Sequence, residues 1–154
     1  DLGVIFGVTG GVTEAVIRKV IEDKSTSTLR ALAFTGVRGM QGVKEASITV
    51  GVRVIKIAVV SGLKNADELV KKIGAGTAQY DFVEVMACPG GCIGGAGQPV
   101  AKLKGKLKRG ALLYEADRMN VIRRSEENPQ METLYKGLLK DKVHKLLHVE
   151  YKGK

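Results

Sequence analysis

The chain has 154 residues, a formal net charge of +9, 44% hydrophobic residues and 27% charged residues. This length predicts one domain with a substantial core, and no apolar run approaches the length of a membrane span. The charge favours a well-solvated, lysine-rich surface, and an acidic partner would also account for it. Nucleic acid is a weaker hypothesis, because the densest basic run, residues 102–109, has no interleaved aromatic side chains to stack on bases.

Residues 2–6 form an apolar run that predicts a first buried strand. Asp1 is not an initiator methionine, and the run has neither the basic region nor the cleavage site of a signal peptide. We therefore expect a cytoplasmic location and a sequence that is a fragment or a processed product. Two cysteines without an export signal indicate free thiols in a reducing compartment.

A glycine-rich turn at residues 7–11 precedes apolar residues at helical spacing, which predict a helix from Val12 to about Lys24. Neither G-x-G-x-x-G nor the P-loop pattern is present, so a tight turn is favoured over a dinucleotide site. After a polar linker at 25–28, alternation predicts a hairpin of strands 46–50 and 52–60 that turns at Gly51.

Asn65 and Glu68 fit the capping box of a helix that ends near Ile73, and residues 80–86 predict another strand. Strands that alternate with helices predict an α/β fold with a mainly parallel sheet flanked by helices. The loops at the carboxyl ends of parallel strands share one edge of the sheet, where ligands usually bind. That edge would hold the loops at residues 7–11, 61–62 and 87–97.

We expect residues 1–99 to form an α/β lobe and residues 100–154 to form a basic connector and helical tail that wraps the lobe within the same domain. The connector, residues 100–109, is compatible with a short strand. Three helices are predicted after it, at residues 110–120, 129–139 and 141–149.

Both cysteines, Cys88 and Cys92, lie in a loop rich in glycine and proline that cannot be a regular helix or strand. Such thiols suit zinc, copper(I) or iron–sulfur clusters. A zinc site would need His144 and His148, which lie far along the chain. A redox disulfide does not fit the spacing, and an iron–sulfur cluster would receive half of its usual ligands. Spacing alone leaves these alternatives open.

Residues 86–92 (MACPGGC), followed by 95–99 (GAGQP), closely resemble the third cluster-binding motif of the iron-only ([FeFe]) hydrogenases. Other segments agree in order along nearly the whole chain. The tail resembles the segment that is a separate small subunit in some family members. The agreeing segments are 3–18 (GVIFGVTGGVTEAVIR), 37–46 (VRGMQGVKEA), 62–66 (GLKNA), 120–128, 146–148 and Tyr151.

The resemblance implies one lobe of a hydrogenase catalytic domain, and a site built around the H-cluster, a [4Fe–4S] cubane bridged to a diiron centre. It implies that Cys88 ligates the cubane and that Cys92 bridges the two units. It also implies an apolar pocket around the diiron unit, formed by Phe6, Val12 and Met86. The remaining residues of the cluster loop are Pro89, Gly90, Gly91, Gly95, Gly97 and Gln98.

The family reaction is the reversible reduction of protons to H₂, with a ferredoxin-like acidic electron carrier as partner. The motifs that hold the other two cluster cysteines have no match here, nor do the cyanide-binding lysine, the proton-delivering cysteine and the carboxylates of the proton path. Ala96 replaces the middle glycine of the usual triplet, and Thr13 stands where methionine is common.

We therefore expect the isolated chain to be inactive and to bind no complete H-cluster. Activity would require the missing N-terminal lobe or a second hydrogenase chain, and the sheet edge left exposed makes self-association plausible. The alternatives are an iron–sulfur assembly factor of the same superfamily and a zinc-stabilised interaction module.

Overall fold

The computed structural model describes residues 2–20, 37–39, 41–50, 52–95 and 97–149. The predicted linker at 25–28, the end of the first helix beyond residue 20, Gly51, Ala96 and Tyr151 lie outside these ranges. The three strands are β1 (Val43–Val50), β2 (Arg53–Ser61) and β3 (Phe82–Met86). The α-helices are α1 (Gly11–Val20), α2 (Leu63–Gly74), α3 (Leu103–Met119), α4 (Pro129–Lys136) and α5 (Val143–Leu147), and the 3₁₀-helices are Leu2–Gly7, Cys92–Gly94 and Ser125–Glu127.

The sheet has the order β1-β2-β3 and confirms the α/β fold class. β1 and β2 form the predicted antiparallel hairpin, with Val43 opposite Val60. β2 and β3 pair in parallel, with Ile57 opposite Phe82. Among the described strands the sheet is therefore mixed, with one antiparallel and one parallel pair, and the expectation of a mainly parallel sheet was wrong.

The apolar end of β2 is buried on both faces, as its sequence predicted. Ile57 and Val59 pack with Ile17 of α1 on one face. Ala58 and Val60 pack with Leu69 of α2 on the other. This alternation places one helix on each face of the sheet and fixes the register of the strand that leads to Ser61.

The first segment is a 3₁₀-helix, Leu2–Gly7, and the prediction of a buried strand there was wrong. The run is apolar because Ile5 is fully buried against Val8 and Ile93, not because it joins the sheet. The chain reverses immediately afterwards, and Val8 N donates to Ile5 O at 3.1 Å. A Cβ on Gly11 would lie 1.8 Å from the same oxygen, so this reversal requires glycine.

Helix α2 begins at Leu63 after Gly62, whose φ of 90° favours glycine, and it has no side-chain cap. Asn65 instead donates its Nδ2 hydrogen to Ser61 O at 2.7 Å. The predicted capping box of Asn65 and Glu68 was therefore wrong, because the polar side chain of Asn65 bonds back to the end of β2.

Residues 103–109 of the basic connector belong to helix α3, and the possible strand at residues 100–109 was wrong. Alternating lysines imitate a strand pattern there, but Gly110 in the same helix is buried against Val8 and Ile93. Helices α4 and α5 are shorter than predicted. Among the described residues, no helix is both long enough and apolar enough to cross a bilayer.

Candidate metal centre

Three loops meet beside the carboxyl ends of β2 and β3, as expected, although the first of them follows a 3₁₀-helix and not a strand. Thr9 N donates to Gly90 O at 3.2 Å, and Gly62 N donates to Met86 O at 2.7 Å. Gly90 N donates to Ser61 Oγ at 2.8 Å in a buried hydrogen bond. The glycine turn, the end of β2 and the cysteine loop are thereby fixed to one another.

The first half of the cysteine loop follows the path of the glycine turn closely. Gly91 is buried with a φ of 89°, and a Cβ there would lie 2.8 Å from both Gly7 O and Thr9 N. A larger residue would need backbone to move on both sides of the contact. Glycine is therefore required at the point where the two loops touch.

Both cysteines are free thiols; Cys88 is half-buried and Cys92 is exposed. Cys92 begins a 3₁₀ turn, Cys92–Gly94, and its carbonyl accepts from Gly95 N at 3.1 Å. A Cβ on Gly95 would lie 3.1 Å from Cys88 Sγ, so the absence of a side chain keeps the space beside the thiol open. Two soft donors on a glycine cradle fit a group held through thiolates.

The second half of the loop is held by helix α3 through Arg109. Its Nη1 donates to Ile93 O at 2.9 Å and its Nη2 donates to Pro99 O at 2.6 Å. Lys106 of the same helix approaches Gly94, where its Nζ would lie 3.1 Å from an added Cβ. The sequence showed this basic run but not that one of its members binds the loop.

Two buried charged residues, Glu84 and Lys44, form hydrogen bonds to the backbone of the glycine turn. Glu84 of β3 accepts from Gly10 N and Thr13 N, each at 2.7 Å, and from Thr13 Oγ1 at 2.6 Å. This carboxylate therefore satisfies amides at the start of α1, where the helix dipole favours negative charge. The sequence pattern did not predict this role, although a glutamate within an apolar strand is a recognisable signal.

Lys44 of β1 satisfies the carbonyls of the same region and is 4% exposed. Its Nζ donates to Thr9 O at 3.1 Å, Val37 O at 2.6 Å and Gly39 O at 3.0 Å. Burial lowers the pKa of Lys44 to about 8, while the negative charge of Glu84 acts in the opposite direction. Nothing in the local sequence indicated this buried amine.

A buried ionic cluster joins α1 to α3. Arg18 donates to both carboxylate oxygens of Asp117, at 2.8 and 2.7 Å, and also pairs with Glu14. Arg38 donates its Nε hydrogen to Glu14 at 2.8 Å and lies 4.1 Å over the ring of Tyr114. Burial raises the pKa of Tyr114 to about 12, so the phenol stays protonated at neutral pH.

The three expected pocket residues fall into two groups. Phe6, which is 41% exposed, and the half-buried Val12 line an open groove of about 740 Å³ together with Met131 and Tyr135. Met86 is half-buried at the end of β3 and is not among the residues that line this groove. The structure thus brings Phe6 and Val12 together, with Met86 on the strand that enters the cysteine loop.

The histidines lie apart from the cysteine loop. His144 and His148 contact each other edge to face, with ring centroids 4.5 Å apart. Within the part of the chain that the structure describes, no three His, Cys, Asp or Glu side chains form a group that could hold a metal ion. The two histidines and two cysteines therefore do not assemble a Cys₂His₂ site among these residues, and their arrangement does not support the zinc-module alternative.

The fold and the site define a class of protein, namely an α/β lobe that holds two free thiols on a glycine-rich loop. A family profile described as "Iron only hydrogenase large subunit, C-terminal domain" matches residues 1–96. A second profile, "Iron hydrogenase small subunit", matches residues 103–154. The chain belongs to the iron-only hydrogenase family and corresponds to its C-terminal region.

Curated relatives agree with this assignment. The NADP-reducing hydrogenase subunit HndD of Solidesulfovibrio fructosivorans is 47% identical over 96% of this chain. Iron hydrogenase 1 of Clostridium pasteurianum is 34% identical over 97% of it. The chain spans only 26% and 28% of the lengths of these two relatives.

A solved structure of an [FeFe]-hydrogenase from Chlamydomonas reinhardtii is similar at 35% identity, with a TM-score of 0.69. The match covers 95% of this chain and 45% of that one. A more distant curated relative, the cytosolic Fe-S cluster assembly factor narfl of Xenopus tropicalis, is 30% identical over 94% of this chain and 31% of its own length.

Proposed function

We propose that this chain supplies Cys88 and Cys92 as two of the four cysteine ligands of an H-cluster, within a larger hydrogenase that interconverts protons and H₂. Cys88 would ligate the cubane and Cys92 would bridge it to the diiron unit. The observation that carries the proposal is the presentation of the two free thiols on the cysteine loop, fixed to the sheet edge through Ser61 and Thr9.

The residues around the loop have physical roles that follow from their contacts. Gly95 leaves room beside Cys88 Sγ, and Gly90 and Gly91 allow the loop to lie against the glycine turn. Pro89, Gly97 and Gln98 complete the loop. When bound, the cluster would supply the redox chemistry of the reaction.

Phe6, Val12 and Met86 are proposed to surround the diiron unit. Apolar side chains there would exclude water and lower the local dielectric around the metal. Phe6 is substantially exposed and Val12 half-exposed in this chain, as expected if another part of the protein covers them. The missing N-terminal lobe, or a second hydrogenase chain, is the proposed partner on this side.

Two thiols are half of the usual ligand set for a cubane. We therefore propose that the isolated chain neither evolves nor oxidises H₂ and holds no complete H-cluster. Among the described strands, β1 and β3 are the edges of the sheet, and we propose that the chain alone self-associates through an edge that the missing lobe leaves exposed. Gel filtration over a range of protein concentrations tests that association.

Anaerobic iron–sulfur reconstitution tests the ligand assignment. The chain is reconstituted alone and with the N-terminal remainder of its parent protein, and bound iron and H₂ turnover are measured. Cys88→Ser and Cys92→Ser should each abolish cluster retention in the complete protein. Met119→Ser, which removes an exposed sulfur on α3, is the matched control and should retain it. Turnover by the lone chain, or a full cluster in either cysteine variant, would contradict the proposal.

The proposed electron partner is an acidic, ferredoxin-like carrier. The first turns of α3 carry no acidic residue, and lysines there add to the positive end of the helix dipole. Lys104 and Lys108 are exposed, so this surface is open to an acidic protein. Association should weaken as salt rises and should weaken further in a Lys104→Glu, Lys108→Glu variant.

An iron–sulfur assembly factor is the second candidate, and the similarity to narfl supports it. The higher identity to HndD, 47%, favours the hydrogenase. The two proposals differ in one measurement on the complete protein. A reconstituted protein that donates its cluster to an apo-acceptor without H₂ turnover would favour the assembly factor.

A further inference from the structure

The second half of the cysteine loop contains little regular structure of its own. After the 3₁₀ turn Cys92–Gly94, the hydrogen bonds described within the loop are local ones: Gly95 N donates to Cys92 O at 3.1 Å and Gln98 N to Gly95 O at 3.3 Å. Short turns of this kind open readily unless another element holds them. The conformation beside the Cys88 thiol therefore depends on contacts from outside the loop.

Arg109 of α3 provides that contact at two points. Its guanidinium donates to Ile93 O and Pro99 O, which flank the glycine-rich half of the loop. A planar guanidinium holds its donors in a fixed fork, so binding both carbonyls sets the distance between them. A lysine ammonium is a single compact charge and does not reproduce this fork.

We propose that Arg109 is a positioning residue that holds the glycine-rich half of the loop over the Cys88 thiol. Gly95, which lies between the two bound carbonyls in sequence, is the residue against Cys88 Sγ. The α3 segment thus determines how the first thiol is presented. This inference rests on the proposed function only in taking Cys88 and Cys92 as iron ligands.

The two thiols allow an internal comparison in the full 154-residue chain. Cys88 is half-buried and Cys92 is exposed, so opening of the loop should expose the first and leave the second unchanged. Alkylation of the metal-free chain by iodoacetamide is followed at each cysteine by mass spectrometry. The variants are Arg109→Ala and Arg109→Lys, with Arg118→Ala as the control that removes an exposed guanidinium from the same helix.

In Arg109→Ala the ratio of Cys88 to Cys92 alkylation rates should rise about fivefold, because two charge-assisted hydrogen bonds that close the loop are lost. Arg109→Lys should also raise the ratio, since one ammonium does not bridge both carbonyls. Arg118→Ala should leave it unchanged. Thermal unfolding of each variant shows whether the global fold is kept.

An unchanged ratio in Arg109→Ala would overturn the inference. This includes the case in which both cysteines are alkylated equally faster, because that result reports general destabilisation. A wild-type ratio in Arg109→Lys would overturn the two-point bridge. The assay contains no iron, so it is independent of the ligand assignment. Failure of the complete protein to bind iron, with the ratio raised as expected, would reject the proposed function and leave the role of Arg109 in place.

Discussion

Gly90 and Ser61 form the hydrogen bond that links the cysteine loop to the central strand. The Gly90 amide donates to Ser61 Oγ at 2.8 Å, and Ser61 is 2% exposed. The donor lies between the two cysteines in sequence, and the acceptor ends the strand that is buried on both faces. The position of the thiols is thus set by the register of β2.

Ser61→Ala removes that acceptor and leaves the Gly90 amide buried without it. We expect a loss of about 1–3 kcal/mol in the free energy of unfolding, the usual cost of an unsatisfied buried donor. Urea denaturation measures it. Ser47→Ala, at an exposed position on β1, should change stability by less than about 0.5 kcal/mol. Equal stability of the two variants would contradict the role of this hydrogen bond.

Glu84→Gln should destabilise the start of α1. The carboxylate accepts from Gly10, from the Thr13 amide and from the Thr13 hydroxyl, and an amide side chain would turn one NH₂ group toward these donors. We expect a loss of about 2–4 kcal/mol, since hydrogen bonds to charged groups are the stronger ones. Denaturation of Glu84→Gln beside the exposed Glu68→Gln gives the comparison, and similar midpoints would refute the prediction.

Lys44 predicts a pH dependence of stability with a definite sign. Its folded-state pKa is about 8, below the ordinary lysine value of 10.5, so the unfolded state binds more protons between these values. Stability should therefore rise as the pH increases from 8 to 10. The gain should approach about 2 kcal/mol relative to Lys44→Met, a variant in which this group no longer titrates. A stability difference that stays flat or falls over this range would contradict the lowered pKa.

Tyr114 opposes the gain in stability from Lys44 when the pH rises above 10. Its folded-state pKa of about 12 exceeds the ordinary tyrosine value of 10.0, so the unfolded state loses its proton first. This residue should therefore reduce stability as the pH rises above 10. Tyr114→Phe removes the contribution, and the wild-type loss above pH 10 should be smaller in that variant.

Gly95→Ala should impair metal binding more than folding. The added Cβ would lie 3.1 Å from Cys88 Sγ, a flexible side-chain atom that can move aside. We expect a loss of stability below about 1 kcal/mol but roughly tenfold weaker cluster retention in the complete protein, because the thiol is displaced. Gly74→Ala is the matched control, since a Cβ there meets nothing within 4 Å. Cluster retention equal to the control would show that the space beside Cys88 is not needed.

Local patterns in the sequence predicted the hairpin, the parallel pair and the shared edge of the loops after β2 and β3, but the glycine turn reaches that edge from a 3₁₀-helix and not from a strand. Strand alternation and glycine turns are properties of neighbouring residues, and parallel topology then brings the loops to one edge. Residues 2–6 were misassigned because burial against α3 and pairing in a sheet leave the same short apolar run. The contacts of Lys44, Glu84 and Arg109 depend on packing between distant segments, which a single sequence does not show.

The ionic cluster of Arg18 and Asp117 has a consequence for how the protein can be divided. These side chains join the region matched by the large-subunit profile to the region matched by the small-subunit profile. The peptide between the regions passes through Val100, which is fully exposed. A chain break there would leave the joining contacts in place, but assembly of the two pieces would then depend on protein concentration. The main contribution of the covalent connection is therefore the high effective concentration of one region beside the other.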